Sequence, residues 1–544
     1  MGKVELLDCT LRDGSYVVGG DFGDDVIRGV IRKLSAARVD IIECGWLKDA
    51  EHKTGSAYFH LPDEVRDYRP VQCGSSPVYA VMIDWDRYDL DALPPRSQNT
   101  VDAIRMVFPH GKSSRALALA SKITERGYLL CLQAANTLAY DDAELRDLAE
   151  CVNRSGAVSL SIVDTFGAMY PDDLARIYSV LDAGLDGRIR LGFHSHNNQQ
   201  LSFALCMDFL RMGAKGSRTL TVDASLCGMG RGAGNATTEL VANFLNRSYA
   251  GNYDLNEILD AIDLYLARLK DSHEWGYSIP YFIAGAYCTH VNNIAYLRTH
   301  HKTLAKDMRI IIESITPEMR RTYDYDNLER VYAEYQNRVV DDEPVMSSFA
   351  SKMAGKKVLL LAPGVTLRTE SDRVQKYIAR ENPIVIGVNH VPDDYRCNYF
   401  FFANAQRYQY AVDTNANEMR RADVIVTSNV RSVKVGANVV NFNLLAKRGW
   451  RFFDNGTIMA LRFLRKVGVM DVAFAGFDGF PAEDSRLCYA NRVFQNDLSM
   501  ELKRAINEDV LSMLRDFQAL DRGMTKLSFV TTSLYDCIIE EDLS

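Results

Sequence analysis

The first half of the chain alternates short apolar, β-rich runs with amphipathic stretches of helical period. VELLDCT (residues 4–10), VDIIECG (39–45), VYAVMID (78–84) and VDAIRMVF (101–108) open the series. YLLCLQA (128–134), VSLSIVDT (158–165), IRLGFH (189–194) and SRTLTVDAS (217–225) continue it. Segments such as DDVIRGVIRKLSAAR and DDLARIYSVLDAG lie between them and repeat apolar residues at three- and four-residue spacing. Eight evenly spaced strand–helix units over about 240 residues predict a closed parallel TIM (β/α)8 barrel over 1–263 rather than an open doubly wound sheet.

Beyond the barrel the pattern changes. From 264 to 338 the strand signal disappears and stretches such as IPYFIAGAYCTHVNNIAYLRTHH predict a helical subdomain. Residues 339–355 are polar and contain Pro344, which predicts a linker. KVLLLAPG then begins a second α/β series with NPIVIGVNH, ADVIVTSNV, KVGANVVNF and MDVAFAGFDGF, which predicts a Rossmann-like α/β domain over 356–544.

Composition narrows the class of function. The hydrophobic content of 47% and charged content of 25% are those of globular proteins. A net charge of -8 with no Lys/Arg-rich run argues against nucleic-acid binding. The 11 cysteines form no CxxC pair, which predicts reduced thiols and a cytoplasmic protein. The N-terminus reads as a strand rather than a signal peptide, and no apolar run reaches membrane-spanning length.

The chemistry sits where barrel enzymes carry it, at the carboxyl ends of strands. Strand one ends TLRDGS, strand two IIECG, strand six IVDTFG, strand seven FHSH and strand eight DASLCGMGRGAGN. His194 and His196, two apart at a strand end, point to the same face. With Asp13 they make a mixed oxygen and nitrogen set suited to Mn, Mg, Zn or Fe(II). Arg12 beside this aspartate needs an anionic partner. A bidentate 2-oxo acid supplies one, its carboxylate and carbonyl meeting the cation and its enolate oxygen the guanidinium; an ion pair to Glu43 or Asp8 is the structural alternative. Strands five and six carry no lysine for a Schiff base.

DCTLRDG, IIECG, FHSHNN and DASLCGMGRGAGNATTE, in this order, resemble the metal-dependent aldolase and Claisen-type barrel family that includes 4-hydroxy-2-oxovalerate aldolase, 3-hydroxy-3-methylglutaryl-CoA lyase and isopropylmalate synthase. The resemblance covers roughly residues 1–345 and is nearest the oxovalerate aldolases. It implies metal binding by Asp13, His194 and His196, enolate stabilisation by Arg12 and a supporting carboxylate at Glu43. Asn235 is similar to a residue that reaches the metal in the lyase branch. The aldolases carry a catalytic histidine where this chain has Tyr16, so Tyr16, Tyr287 and His290 are the candidates for proton transfer. The C-terminal domain, over about 356–480, is similar to bacterial sialyltransferase-like nucleotide-binding domains. That resemblance implies a nucleotide or nucleotide-sugar, cytidine nucleotides first, against Gly364, Asn389, Asn455 and Gly456, with Asp478 nearby, and a setting in surface-glycan or sugar metabolism.

The expectation is a divalent-metal-dependent carbon–carbon lyase or aldolase acting on pyruvate and an aldehyde, and a homo-oligomer. An acyl-CoA lyase or Claisen-type synthase on the same barrel is one alternative. A nucleotide-sugar glycosyltransferase with a non-catalytic barrel is another.

Overall fold

The computed structural model describes residues 2–70, 77–98, 100–214, 216–301, 303–431, 433, 436–452, 454–481, 489 and 498–541. The chain divides into two compact units, Met1–Tyr325 and Asp326–Ser544.

In the first unit the runs of β-branched and aliphatic residues form β1 (Val4–Asp8), β2 (Ile41–Leu47), the short β3 (Tyr58–Phe59), β4 (Val78–Asp84), β5 (Ala103–Pro109), β6 (Leu129–Ala135), β7 (Ser159–Asp164), β8 (Arg190–Ser195) and β9 (Leu220–Ala224). Every pairing is parallel. Apart from β3, which adds to the side of β2, each strand pairs with two neighbours, and β1 joins both β9 and β2 to close the ring. This is the predicted eight-stranded barrel. Alternation then sorts the side chains: Leu6, Val81, Ile104, Leu130 and Leu191 face the surrounding helices in the main core. Leu7, Ile41, Ala80 and Ala103 form a separate small cluster inside the ring. Arg105, two residues beyond Ala103, shares its inward face and is 2% exposed. The interior therefore changes along its axis from an apolar plug to a set of charged groups.

Helices Leu255–Ala261, Ala267–Ser272, Ile279–Ala286, Val291–His301 and Ala305–Glu313 follow within the first unit. The helix Tyr325–Gln336, expected in the helical subdomain, falls almost wholly in the second unit. The expected linker is also corrected. Glu343–Met353 is a helix, and its Phe349 and Met353, one turn apart, are buried in the core of the second unit. Pro344 sits in the first helical turn, where its missing N–H breaks no hydrogen bond.

The second unit is built on a seven-stranded parallel sheet of β10 (Lys357–Leu361), β11 (Ile384–Val388), β12 (Tyr399–Phe402), β13 (Asp423–Thr427), β14 (Asn438–Val440), β15 (Asp471–Ala475) and β16 (Lys526–Phe529). Its order is β14-β13-β12-β11-β10-β15-β16. The chain winds outward from β10 in one direction and then reverses between β10 and β15, the doubly wound arrangement expected of a Rossmann-like domain. Among the described residues no helix is long and apolar enough to cross a membrane.

Candidate metal centre and the cavity above it

The carboxyl ends of β1 and β8 bring three metal-ligating groups together. Asp13 lies on a helical turn just after β1, His194 in β8 and His196 one residue past its end. One ligand atom of each lies within 4.8 Å of the others, and all three residues are buried. His194 Nδ1 is 3.1 Å from Asp223 Oδ2, and His196 Nδ1 is 3.3 Å from the Gly234 carbonyl oxygen. These contacts fix ring orientation as supporting groups do around a metal. Asn235 donates Nδ2 to Asp13 Oδ2 at 2.7 Å, while its own buried Oδ1 has no hydrogen-bond partner among the described residues. A buried oxygen without a partner, on a residue hydrogen-bonded to the carboxylate of the triad, fits a divalent cation.

The charges agree with that fit. Burial alone would raise the Asp13 carboxyl, but Arg12, His196 and His194 outweigh it and hold it well below the usual carboxylate range. Burial, against the pull of Asp13, lowers the His196 imidazole to about 4. At neutral pH the site therefore offers an anionic carboxylate and an unprotonated His196, the forms a metal needs.

Arg12 is held on two sides. Its Nε donates to Glu43 Oε2 at 2.7 Å and its Nη1 to Asp13 Oδ1 at 2.6 Å. Arg105 continues the chain of charges through Nη1 to Glu43 at 2.8 Å, and through Nη2 to Asp223 and to Gln133 Oε1 at 3.0 Å. Asp223 in turn faces His194. Glu43 thus supports Arg12, and Arg105 ties both carboxylates together at the centre of the barrel. Asp8 takes no part in this network; it accepts from the Thr10 amide and the Thr238 hydroxyl.

Above the centre a cavity of about 750 Å3 opens, lined by Tyr16, Gly230, Arg231 and His290 among others. Gly230 joins the two spaces: a Cβ there would fall 2.4 Å from Asp13 Oδ2 and 2.3 Å from Asn235 Nδ2. Arg231 donates its amide to Asp13 Oδ2 at 3.3 Å, and its guanidinium lies 4.9 Å from the Tyr16 ring centroid and 2.9 Å from His290 Nε2. Burial and Arg231 together lower His290 to about 3. Tyr287 is not among the lining residues; its hydroxyl accepts from Arg309 Nη1 at 3.3 Å. Two of the three proton-transfer candidates therefore reach the cavity and one does not.

Arg105, Asp223 and Arg231 were not singled out by sequence. A charge inside the apolar run VDAIRMVF was the available signal for Arg105, since an inward-facing strand position holds a guanidinium only if carboxylates meet it.

In the second unit Gly364, Asn389, Asn455, Gly456 and Asp478 border one cavity of about 180 Å3 at the carboxyl ends of β10, β11 and β15. Arg407, which no motif pointed to, lines it as well. The glycines answer to the protein's own packing. A Cβ on Gly364 would lie 2.4 Å from Asp478 Oδ2, and one on Gly456 would lie 2.1 Å from Asn389 Nδ2. Burial pushes the Asp478 carboxyl up to about 6 against hydrogen bonds from the Thr366 amide and hydroxyl.

Comparison with known proteins bears on the barrel. The HMGL-like family profile matches residues 98–264, which contain His194, His196, Asp223 and Asn235. The chain is 27% identical over 265 residues to oxaloacetate decarboxylase of Mycobacterium tuberculosis, covering 47% of this chain and 74% of that one. It is 26% identical over 282 residues to 4-hydroxy-2-oxovalerate aldolase of Moorella thermoacetica, covering 48% and 76%. The crystal structure of HMG-CoA lyase from Brucella melitensis is similar with a TM-score of 0.41 and 19% identity, covering 50% of this chain and 100% of that one. With the triad at the barrel mouth, the family profile and the aldolase and decarboxylase relatives support a metal-dependent enzyme of the general lyase and aldolase kind.

Proposed function

We propose that the first unit is a carbon–carbon lyase that joins pyruvate, or a close 2-oxo acid, to an aldehyde and cleaves the product in reverse. The observation that carries this reading is the convergence of Asp13, His194 and His196 with a doubly anchored Arg12 in one buried site. A divalent ion held by that triad, with Asn235 alongside, supplies Lewis acidity toward the carboxylate and carbonyl oxygens of the 2-oxo acid. Arg12 has two of its three nitrogens committed to Glu43 and Asp13, so Nη2 is the donor for the enolate oxygen. Because Glu43 is itself held by Arg105, the guanidinium cannot swing away as charge develops.

Tyr16 is the proton-transfer group in this proposal. It lines the cavity, and because burial outweighs the pull of Arg231 and pushes the phenol up to about 12, it stays protonated at neutral pH and serves as the proton donor to the aldehyde oxygen. His290 is a poor general acid at neutral pH because burial, reinforced by Arg231 against its Nε2, lowers it to about 3. Incubation with manganese and pyruvate in deuterated water tests the reading. Exchange of the methyl protons is expected, and its absence in protein with metal bound would overturn the assignment.

For the second unit we propose a nucleotide or nucleotide-sugar site in the cavity at the strand-order reversal. Support comes from the position, since ligands of doubly wound sheets bind outside the carboxyl ends of strands at that point, and from Arg407 on its wall. Titration calorimetry of the full chain with cytidine and uridine nucleotides should give dissociation constants below about 1 mM, weakened in Arg407→Met. No heat from any of them would remove this reading and leave that of the barrel untouched.

A further inference from the structure

The cavity above the metal centre is far larger and more polar than a two-carbon aldehyde requires. Its volume of about 750 Å3 is that of pockets enclosing whole drug-sized ligands. Such pockets are usually lined mostly by apolar side chains. Here 11 of the 16 lining residues carry a hydrogen-bonding side chain, and Val17, Val291 and Ala295 are the only aliphatic ones. The polar groups are spread around the space. Asp84 at the end of β4 and Arg87 beyond it stand on the barrel rim, while His273, Tyr281, Asn292 and Tyr323 come from the helical segment that follows the barrel. Donors, acceptors and aromatic rings are all present among them.

We infer that this cavity is the subsite for the second substrate, and that this substrate is a polyhydroxylated aldehyde, an aldose in its open-chain form. The inference rests on the aldolase reading above and names the partner that reading left open. Its carbonyl carbon would lie at the Gly230 end, where the cavity meets Asp13, and its hydroxyl-bearing carbons would extend toward Asp84, Arg87, His273 and Tyr281. An alkyl aldehyde in the same place would strip water from those side chains and return no hydrogen bonds. In the reaction the methyl carbon of pyruvate gives up one proton, and the electron pair left on that carbon forms the bond to the aldehyde carbon. The aldehyde oxygen takes up a proton. One 4-hydroxy-2-oxo acid results, and nothing is oxidised or reduced.

The test compares erythrose with butanal, of equal carbon number, as partners for pyruvate in the manganese-loaded full chain. A site built to bond hydroxyls rejects analogues lacking them by large factors, so kcat/KM for erythrose should exceed that for butanal by about 100-fold or more. His273→Leu and Tyr281→Phe should each lower that ratio at least tenfold. Erythritol, which cannot react, should receive saturation transfer from the metal-free protein in NMR, and butanol should not. Equal or better use of butanal, or no transfer to erythritol, would overturn the inference while pyruvate methyl exchange leaves the aldolase reading standing. Loss of that exchange with transfer to erythritol intact would overturn the aldolase reading and leave a polyol site.

Discussion

Asn235 donates its amide to Asp13 Oδ2 at 2.7 Å, and its own buried carbonyl oxygen has no hydrogen-bond partner among the described residues. The two residues stand 222 positions apart in sequence. Their contact orients the carboxylate. Asn235→Ala should keep the fold and weaken manganese binding by about 10–100-fold, the usual effect of removing a group that supports a metal ligand. Calorimetric titration of the metal checks this, and an unchanged affinity would confine Asn235 to packing.

Arg12→Lys separates charge from shape. A lysine keeps the cation but loses the planar fork that meets Glu43 and Asp13 together. Metal stoichiometry should be retained while pyruvate proton exchange falls by about two to three orders of magnitude, as on loss of one oxyanion donor. Near-normal exchange would make Arg12 a structural ion-pair partner only.

Arg105 tests the network from below. Removing it leaves Glu43 and Asp223 as buried carboxylates that have lost their shared cation. Arg105→Met should destabilise the barrel by about 3–5 kcal/mol in urea unfolding, and adding Glu43→Gln should recover part of that loss. A change below about 1 kcal/mol would show that the charges are solvated by other means.

His390 makes the second unit sensitive to acid. Its Nδ1 meets the Val388 carbonyl at 3.1 Å, its Nε2 is buried with no hydrogen-bond partner among the described residues, and burial lowers it from 6.5 to about 4. A histidine whose folded value is depressed favours the fold above 6.5, and that contribution is lost as pH falls through 4. The loss is on the order of 3 kcal/mol. Hydrogen-exchange protection of β10 and β11 should therefore drop between pH 7 and pH 4, and His390→Gln should flatten the drop. An equal drop in both proteins would assign the acid sensitivity elsewhere.

The barrel was legible because its strands are separate apolar runs of four or more residues, and its triad because ligands at strand ends stand out against turn residues. Arg105 escaped because it lies within a strand, where attention to the ends passes over it, whereas Asp223 stands in the quoted DASLCGMGRGAGN without a role that the motif could assign. In the second unit β12 (Tyr399–Phe402) and β16 (Lys526–Phe529) lie outside the runs read from sequence. The helix Glu343–Met353 was mistaken for a linker because only tertiary packing reveals that Phe349 and Met353 share a buried face. Tyr287 and His290 are three positions apart in one apolar stretch. The sequence pattern had no means of showing that one meets Arg231 at the cavity and the other Arg309 away from it.

The seam between β1 and β9 sets a timetable for the newborn chain. The strand that flanks β1, running Leu220–Ala224, and the asparagine that orients the carboxylate emerge more than two hundred residues after Asp13. At ordinary synthesis rates of about 5–20 residues per second that interval is roughly 10–40 s. Throughout it one edge of β1 lacks its partner and the candidate triad has no closed barrel to hold it. Chaperone occupancy on stalled chains should therefore fall only once residues beyond Asn235 have cleared the exit tunnel.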